Sequence, residues 1–133
     1  MINLSEDKEG GASLDTVKLF EAEWNLMEIL WEKGPINSTK LVKEAEKTLG
    51  WKKSTTYTVV RKLGEKSALK NEGAMVTALL SKEEVLMQES SDFVSHYFDN
   101  SLPSFVAAFT RKKKLTKEEA EVLKKMIEEA SHD

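Results

Sequence analysis

The sequence contains no cysteine. Disulfides, thiolate metal sites and cysteine nucleophiles are therefore excluded, and a reducing compartment poses no difficulty. Histidine is almost as scarce, and His96 and His132 do not sit at the spacing of a metal-ligand motif. No apolar run approaches the ~20 residues needed to cross a bilayer. Residues 1–7 lack the basic start and apolar middle of a secretory signal. A cytoplasmic protein without membrane insertion is expected. Glycine-rich phosphate loops are missing. Glu118-Glu119 and Glu128-Glu129 read as solvated helix faces, and Met27, Met75, Met87 and Met126 as core or interface side chains. These gaps predict a protein that is not an enzyme and carries no metal or cofactor.

What remains is an ordinary globular composition, with 40% apolar and 32% charged residues over 133 positions. The net charge of −3 argues at first against a nucleic-acid partner. Its distribution does not. Residues 1–16 sum to −3, residues 17–67 to +3 and residues 68–133 to −3. Residues 51–62 hold Lys52, Lys53, Arg61 and Lys62 with no acid among them. One basic face can coexist with an acidic average, and the face is what meets phosphate.

Residues 1–16 show no sustained apolar period and read as a flexible arm. Phe20, Trp24, Met27, Leu30 and Trp31 recur at three- and four-residue steps, which predicts a helix ended by Gly34-Pro35. Asn37 can cap a second helix carrying Leu41, Val42, Ala45 and Leu49, closed by Gly50. A third helix spans about residues 54–66, with Thr56, Val59, Val60 and Leu63 inward. A two-stranded ribbon follows: residues 68–71, a Glu72-Gly73 turn, then residues 74–78. Capping boxes at Ser81/Glu84 and Thr116/Glu119, with Ser101 and Pro103 between them, open three further helices. The expected fold is mainly α with a small β-hairpin. Residues 17–80 form a winged helix-turn-helix domain, and residues 81–133 a helical dimerisation domain.

The third helix carries the candidate site. Opposite its inward stripe lie Ser54, Thr55, Thr58, Arg61 and Lys62, with Tyr57 at the side. Short hydroxyl side chains near a helix start suit base edges in a major groove, and threonine methyls can touch thymine methyls. Arg61 and Lys62 follow toward phosphate or a guanine edge. Lys52 and Lys53 stand beside the free amides of the first turn and add phosphate attraction. The competing reading is a winged helix that binds a protein without DNA specificity.

The last fifty residues cannot bury much surface alone. Val85, Leu86, Val94, Leu115 and Val122 need cover, as do Phe93, Tyr97, Phe98, Leu102, Phe105, Val106, Phe109, Leu123, Met126 and Ile127. A second copy of the chain is the simplest cover, and the second group of ten is assigned to a twofold dimer interface. Paired readers then match palindromic double-stranded DNA. The basic run Arg111-Lys112-Lys113-Lys114 could touch DNA, but the favoured reading is that it complements a helix C-terminus.

Several segments resemble one family. Residues 23–32, EWNLMEILWE, look like the opening of BlaI/MecI-type penicillinase repressors. WKKSTTYTVVRKL (51–63) resembles their recognition helix, EKSALK (65–70) their entry to the wing, and SLPSFVAAF (101–109) their dimerisation region. The resemblance implies homodimers that sit on palindromic operators and repress transcription, in many systems under the control of a membrane-bound sensor protease. It implies base reading by Thr55 and Thr58, and backbone contact near Arg61 and Lys62. The chain departs from the family pattern at Ser67, where a glycine is usual, and at Asn100, where one is frequent. The wing lacks the usual arginine and tyrosine. Ala108-Phe109 stands where antibiotic-induced members are cut at Asn-Phe, and the cysteine-rich tail of the copper-responsive branch is absent.

Overall fold

The computed structural model describes residues 18–131. The arm expected at residues 1–16, and His132, lie outside the described residues. The elements are α1 (Glu21–Lys33), β1 (Ile36–Asn37), α2 (Ser38–Leu49), α3 (Lys53–Glu65), β2 (Leu69–Glu72), β3 (Met75–Ala78), α4 (Lys82–Phe98), α5 (Leu102–Thr110) and α6 (Lys117–Ala130). The fold is mainly helical with a small sheet, as the periodicity implies.

Local chemistry sets most boundaries. The Asn37 side chain accepts from the Thr39 amide at 2.8 Å and starts α2. Gly50, at φ 72°, ends α2 in the left-handed region that glycine enters freely. Ser81 and Glu84 cap each other's amides at 3.0 and 2.8 Å, and Thr116 and Glu119 do the same at 3.0 Å each. Ser101 accepts from the Ser104 amide at 3.1 Å.

The chain divides into two compact units inside α4, at Ser90–Ser91. In the first unit, one core joins Leu26, Met27, Ile29 and Leu30 of α1 with Leu41 and Ala45 of α2. Val59, Val60 and Leu63 of α3, Ile36, Leu69 and Val76 of the sheet, and Val85 of α4 complete it. Trp24 and Trp31 pack edge to face at 5.3 Å, and the Trp31 indole donates to the Leu80 carbonyl at 2.8 Å. Val85 therefore finds cover within its own unit and does not need a second copy. The first turns of α4 pack with the winged helix, and Glu89 accepts from the Leu19 amide at 3.3 Å.

Three expectations change. Phe20 stands before α1 as its N-cap and is 62% exposed, with the Lys66 ammonium 4.5 Å above its ring. Leu26 and Ile29 fill the face instead, because α1 is clasped on more than one side. The ribbon is a three-stranded antiparallel sheet in the order β1-β3-β2. Ile36 pairs with Val76, and Leu69 with Ala78. A two-residue strand carries no period, so β1 left no trace in the pattern. The turn lies one residue later than expected: Glu72 pairs with Met75, which leaves Gly73 and Ala74 as its centre.

In the second unit, Phe93 lies 6.0 Å from Phe98 and from Phe105, and Phe105 lies 6.0 Å from Phe109. Among the described residues no core side chain lies beyond Val85, and α5 and α6 have no buried residue.

Two non-glycine residues pin the wing in left-handed backbone. Ser67 has φ 62° and Ala74 has φ 65°. The Ala68 amide donates to Leu63 O and the Ser67 amide to Gly64 O, both at 3.0 Å, which closes a Schellman motif around Ser67. The bend into the wing is thus made in glycine-like backbone without the glycine. Ser67→Gly and Ala74→Gly should each stabilise the fold by about 0.5–1 kcal/mol, since a Cβ is penalised there. Urea unfolding at unchanged m measures this, and a loss of stability would contradict the assigned backbone.

Candidate nucleic-acid interface

Helix α3 is held by its inward stripe. Thr56 is 0% exposed, and its hydroxyl donates to Lys52 O at 3.3 Å, so a buried polar atom is satisfied locally. Val59, Val60 and Leu63 continue that stripe into the core. Trp51 packs against the same core and sets the entry to the helix. The other face is open. Lys52, Lys53, Ser54, Thr55, Thr58, Arg61 and Lys62 are all exposed, and Tyr57 is half-buried. Lys52 is the N-cap and offers no side-chain acceptor, so the first-turn amides have no cap and face outward at the positive end of the helix dipole.

The cations differ in what already holds them. Arg61 donates to Glu65 at 3.1 Å, one turn away on the exposed face. Lys70 on the wing lies 3.6 Å from Glu72. Lys52, Lys53 and Lys62 have no ion pair among the described residues. Lys66 turns inward. Its ammonium donates to Lys18 O and to the carboxylate of Glu23, which is 4% exposed. That pair ties the end of α3 to the start of α1.

Two residues absent from the sequence-based set share this surface. A cleft of about 310 Å³ between α2 and α3 is lined by Thr39, Lys43, Lys52, Lys53 and Tyr57, together with Glu46. Lys43 and Thr39 belong to α2, and only the crossing of the two helices brings them beside Lys52. Sequence spacing could place Lys43 on the exposed side of α2, but not beside α3. The wing tip presents Asn71, Glu72, Gly73 and Met75, so its only cation is the paired Lys70.

Three helices with a glycine-ended turn before an exposed second helix face, followed by a β wing, define the winged helix-turn-helix class. Residues 19–129 match the penicillinase repressor family, and the chain belongs to it. That family consists of transcriptional regulators and not of enzymes. The chain is 28% identical over 116 residues to the penicillinase repressor of Bacillus licheniformis, covering 84% of this chain and 91% of that one. It is 22% identical over 116 residues to the methicillin resistance regulatory protein MecI of Staphylococcus aureus, covering 84% and 94%. It is 22% identical over 119 residues to the Staphylococcus aureus penicillinase repressor, covering 86% and 94%. No described helix is long and apolar enough to cross a membrane.

The inward Lys66 gives a test of how α3 is held. Lys66→Met leaves a buried carboxylate without its cation and should cost about 1–3 kcal/mol. Adding Glu23→Gln should return part of that loss. Chemical unfolding of both single variants and the double variant measures the coupling, and additive losses would show the two groups to be independent.

Proposed function

We propose that the chain is a sequence-specific DNA-binding repressor that acts as a homodimer on a palindromic operator. The observation that carries this reading is the outward face of α3: Ser54, Thr55 and Thr58 exposed at its start, with cations around them and the helix's own stripe buried behind. Hydroxyl side chains of this length reach base edges while Lys52, Lys53 and Lys62 take phosphate. Lys43 and Thr39 join the phosphate contacts through the cleft. Arg61 exchanges Glu65 for a phosphate, and because both partners are exposed this exchange forfeits under ~1 kcal/mol.

Dimer formation rests on the second unit. Phe93, Tyr97, Leu102, Val106, Phe109, Leu123, Met126 and Ile127 are exposed, and Phe98 and Phe105 are half-buried. An apolar surface of this kind on a unit without a core needs a partner, and a second copy gives the two α3 helices that a palindrome requires. The family resemblance also implies a membrane-bound sensor protease that acts indirectly; the family's cleavage position, occupied here by Ala108-Phe109, lies inside α5.

Thr55→Ala and Thr58→Ala should each narrow the affinity gap between operator and random duplex by about 1–3 kcal/mol, the worth of one base-reading side chain, with the fold unchanged. Arg61→Ala and Lys62→Ala should weaken binding to every sequence and lower the salt slope by about one unit each. Equal weakening on random and operator DNA for the threonine variants would remove base reading, and the chain would then be a protein-binding winged helix.

The double variant Leu123→Glu/Ile127→Glu changes two side chains that are exposed in a lone chain. It should be neutral to the winged unit yet produce monomers in sedimentation. A variant that sediments like the parent would remove α6 from the dimer interface.

A further inference from the structure

Residues 100–117 contain no acid and five cations, Arg111, Lys112, Lys113, Lys114 and Lys117, in a chain of net charge −3. Helix α5 ends at Thr110, so this run lies in the turn beyond it. Arg111 is the C-cap, its amide donating to Ala108 O at 3.3 Å. A helix dipole favours cations only within about the last turn. Complementing α5 therefore accounts for Arg111 but not for Lys112, Lys113 and Lys114, which corrects the reading of the run as a helix-end device. On its other side the run approaches the positive end of α6, which starts at Lys117, where the same dipole disfavours a cation. All five are exposed, and none has an ion pair among the described residues. Adjacent like charges repel, so local stability does not explain the cluster.

We propose, building on the DNA-binding reading of α3, that residues 111–117 form a second polyanion-binding surface that contacts the phosphate backbone of duplex DNA. The run offers charge and no base-reading group, which suits phosphate and not base edges. A chain already held on a duplex by α3 meets neighbouring phosphates at high effective concentration, so mobile lysines contribute there without a fitted pocket. Four of its cations, Arg111 to Lys114, sit in a turn and not along an amphipathic helix face, which disfavours a lipid surface as the partner.

The test uses the full chain and a random-sequence duplex several helical turns long, titrated across a salt series. The variant R111Q/K112Q/K113Q/K114Q should lower the salt slope by about three units per protomer, while K112R/K113R/K114R should keep the parent slope. A fall of about one unit or less in the glutamine variant, or an equal fall in the arginine variant, would overturn the inference. So would loss of attachment to phosphatidylserine vesicles with an unchanged DNA slope. Arg61→Ala/Lys62→Ala, run in parallel, separates the two sites. If only that pair flattens the slope, the α3 reading stands and the second surface falls. If only the glutamine variant does, the second surface stands and the phosphate role of α3 falls.

Discussion

Thr56, Val59, Val60 and Leu63 decide what the molecule can offer a ligand, because they decide which way α3 faces. Once that stripe docks in the core formed with α1, α2 and the sheet, helical geometry sends Thr55, Thr58 and Lys62 to the opposite side. The ends are held separately. Trp51 anchors the entry, and the Schellman closure at Ser67 with the Lys66–Glu23 pair anchors the exit. A helix fixed at both ends presents its hydroxyl groups in one geometry. For the proposed DNA reader, little ordering would then be left to be done at the moment of binding, which is where rigid readers gain affinity.

Charge is handled with similar economy. Within a chain of net −3, the cations around α3 differ in whether an acid already holds them. Lys66, partly exposed, is drawn to a buried carboxylate. Arg61 and Lys70 are tethered to acids on exposed surface, where pairs are worth little and exchange readily for phosphate. Lys52, Lys53 and Lys62 stay open. The wing keeps one tethered cation and a glutamate, so the unpaired cations of the winged unit's proposed DNA face lie on α3 and at its cleft with α2.

The legible features were the local ones. Asn37, Ser81, Ser101 and Thr116 were readable as caps because a cap depends on residues within one turn. The α3 stripe was readable because its period is unbroken. The strand at Ile36-Asn37 was not, since two residues have no period and their pairing with β3 is made across forty positions of sequence. Phe20 looked like the first core position of α1, yet spacing does not reveal that Glu23, Leu26 and Ile29 are buried beside Met27 and Leu30. The partnership of Lys43 with Lys52 depends on a helix crossing, and that of Lys66 with Glu23 on a contact over 43 positions. Ser67 shows the reverse case. The sequence departs from the family's glycine there, yet Ser67 holds the left-handed backbone that a glycine enters freely, closed by the hydrogen bonds at the helix end.

The two units differ in what each can support alone. The first buries side chains from α1, α2, α3, the sheet and α4 in one cluster. The second, from Ser91 onward, is close to the ~40 residues below which a chain usually needs added staples or a partner. It has no cysteine for a staple. Its aromatic rings touch one another while Tyr97 stays 65% and Ile127 60% exposed. Polar substitution would have removed that liability at no loss to a solitary unit, and the acidic and basic residues elsewhere on α6 show that charge is tolerated on this helix. Apolar side chains that persist on one set of positions, beside charged ones on the rest, are what a helix needs when its cover arrives from another molecule. By the same reasoning the adjoining turn, residues 111–116 with four cations and no acid, suits the oppositely charged partner proposed for it.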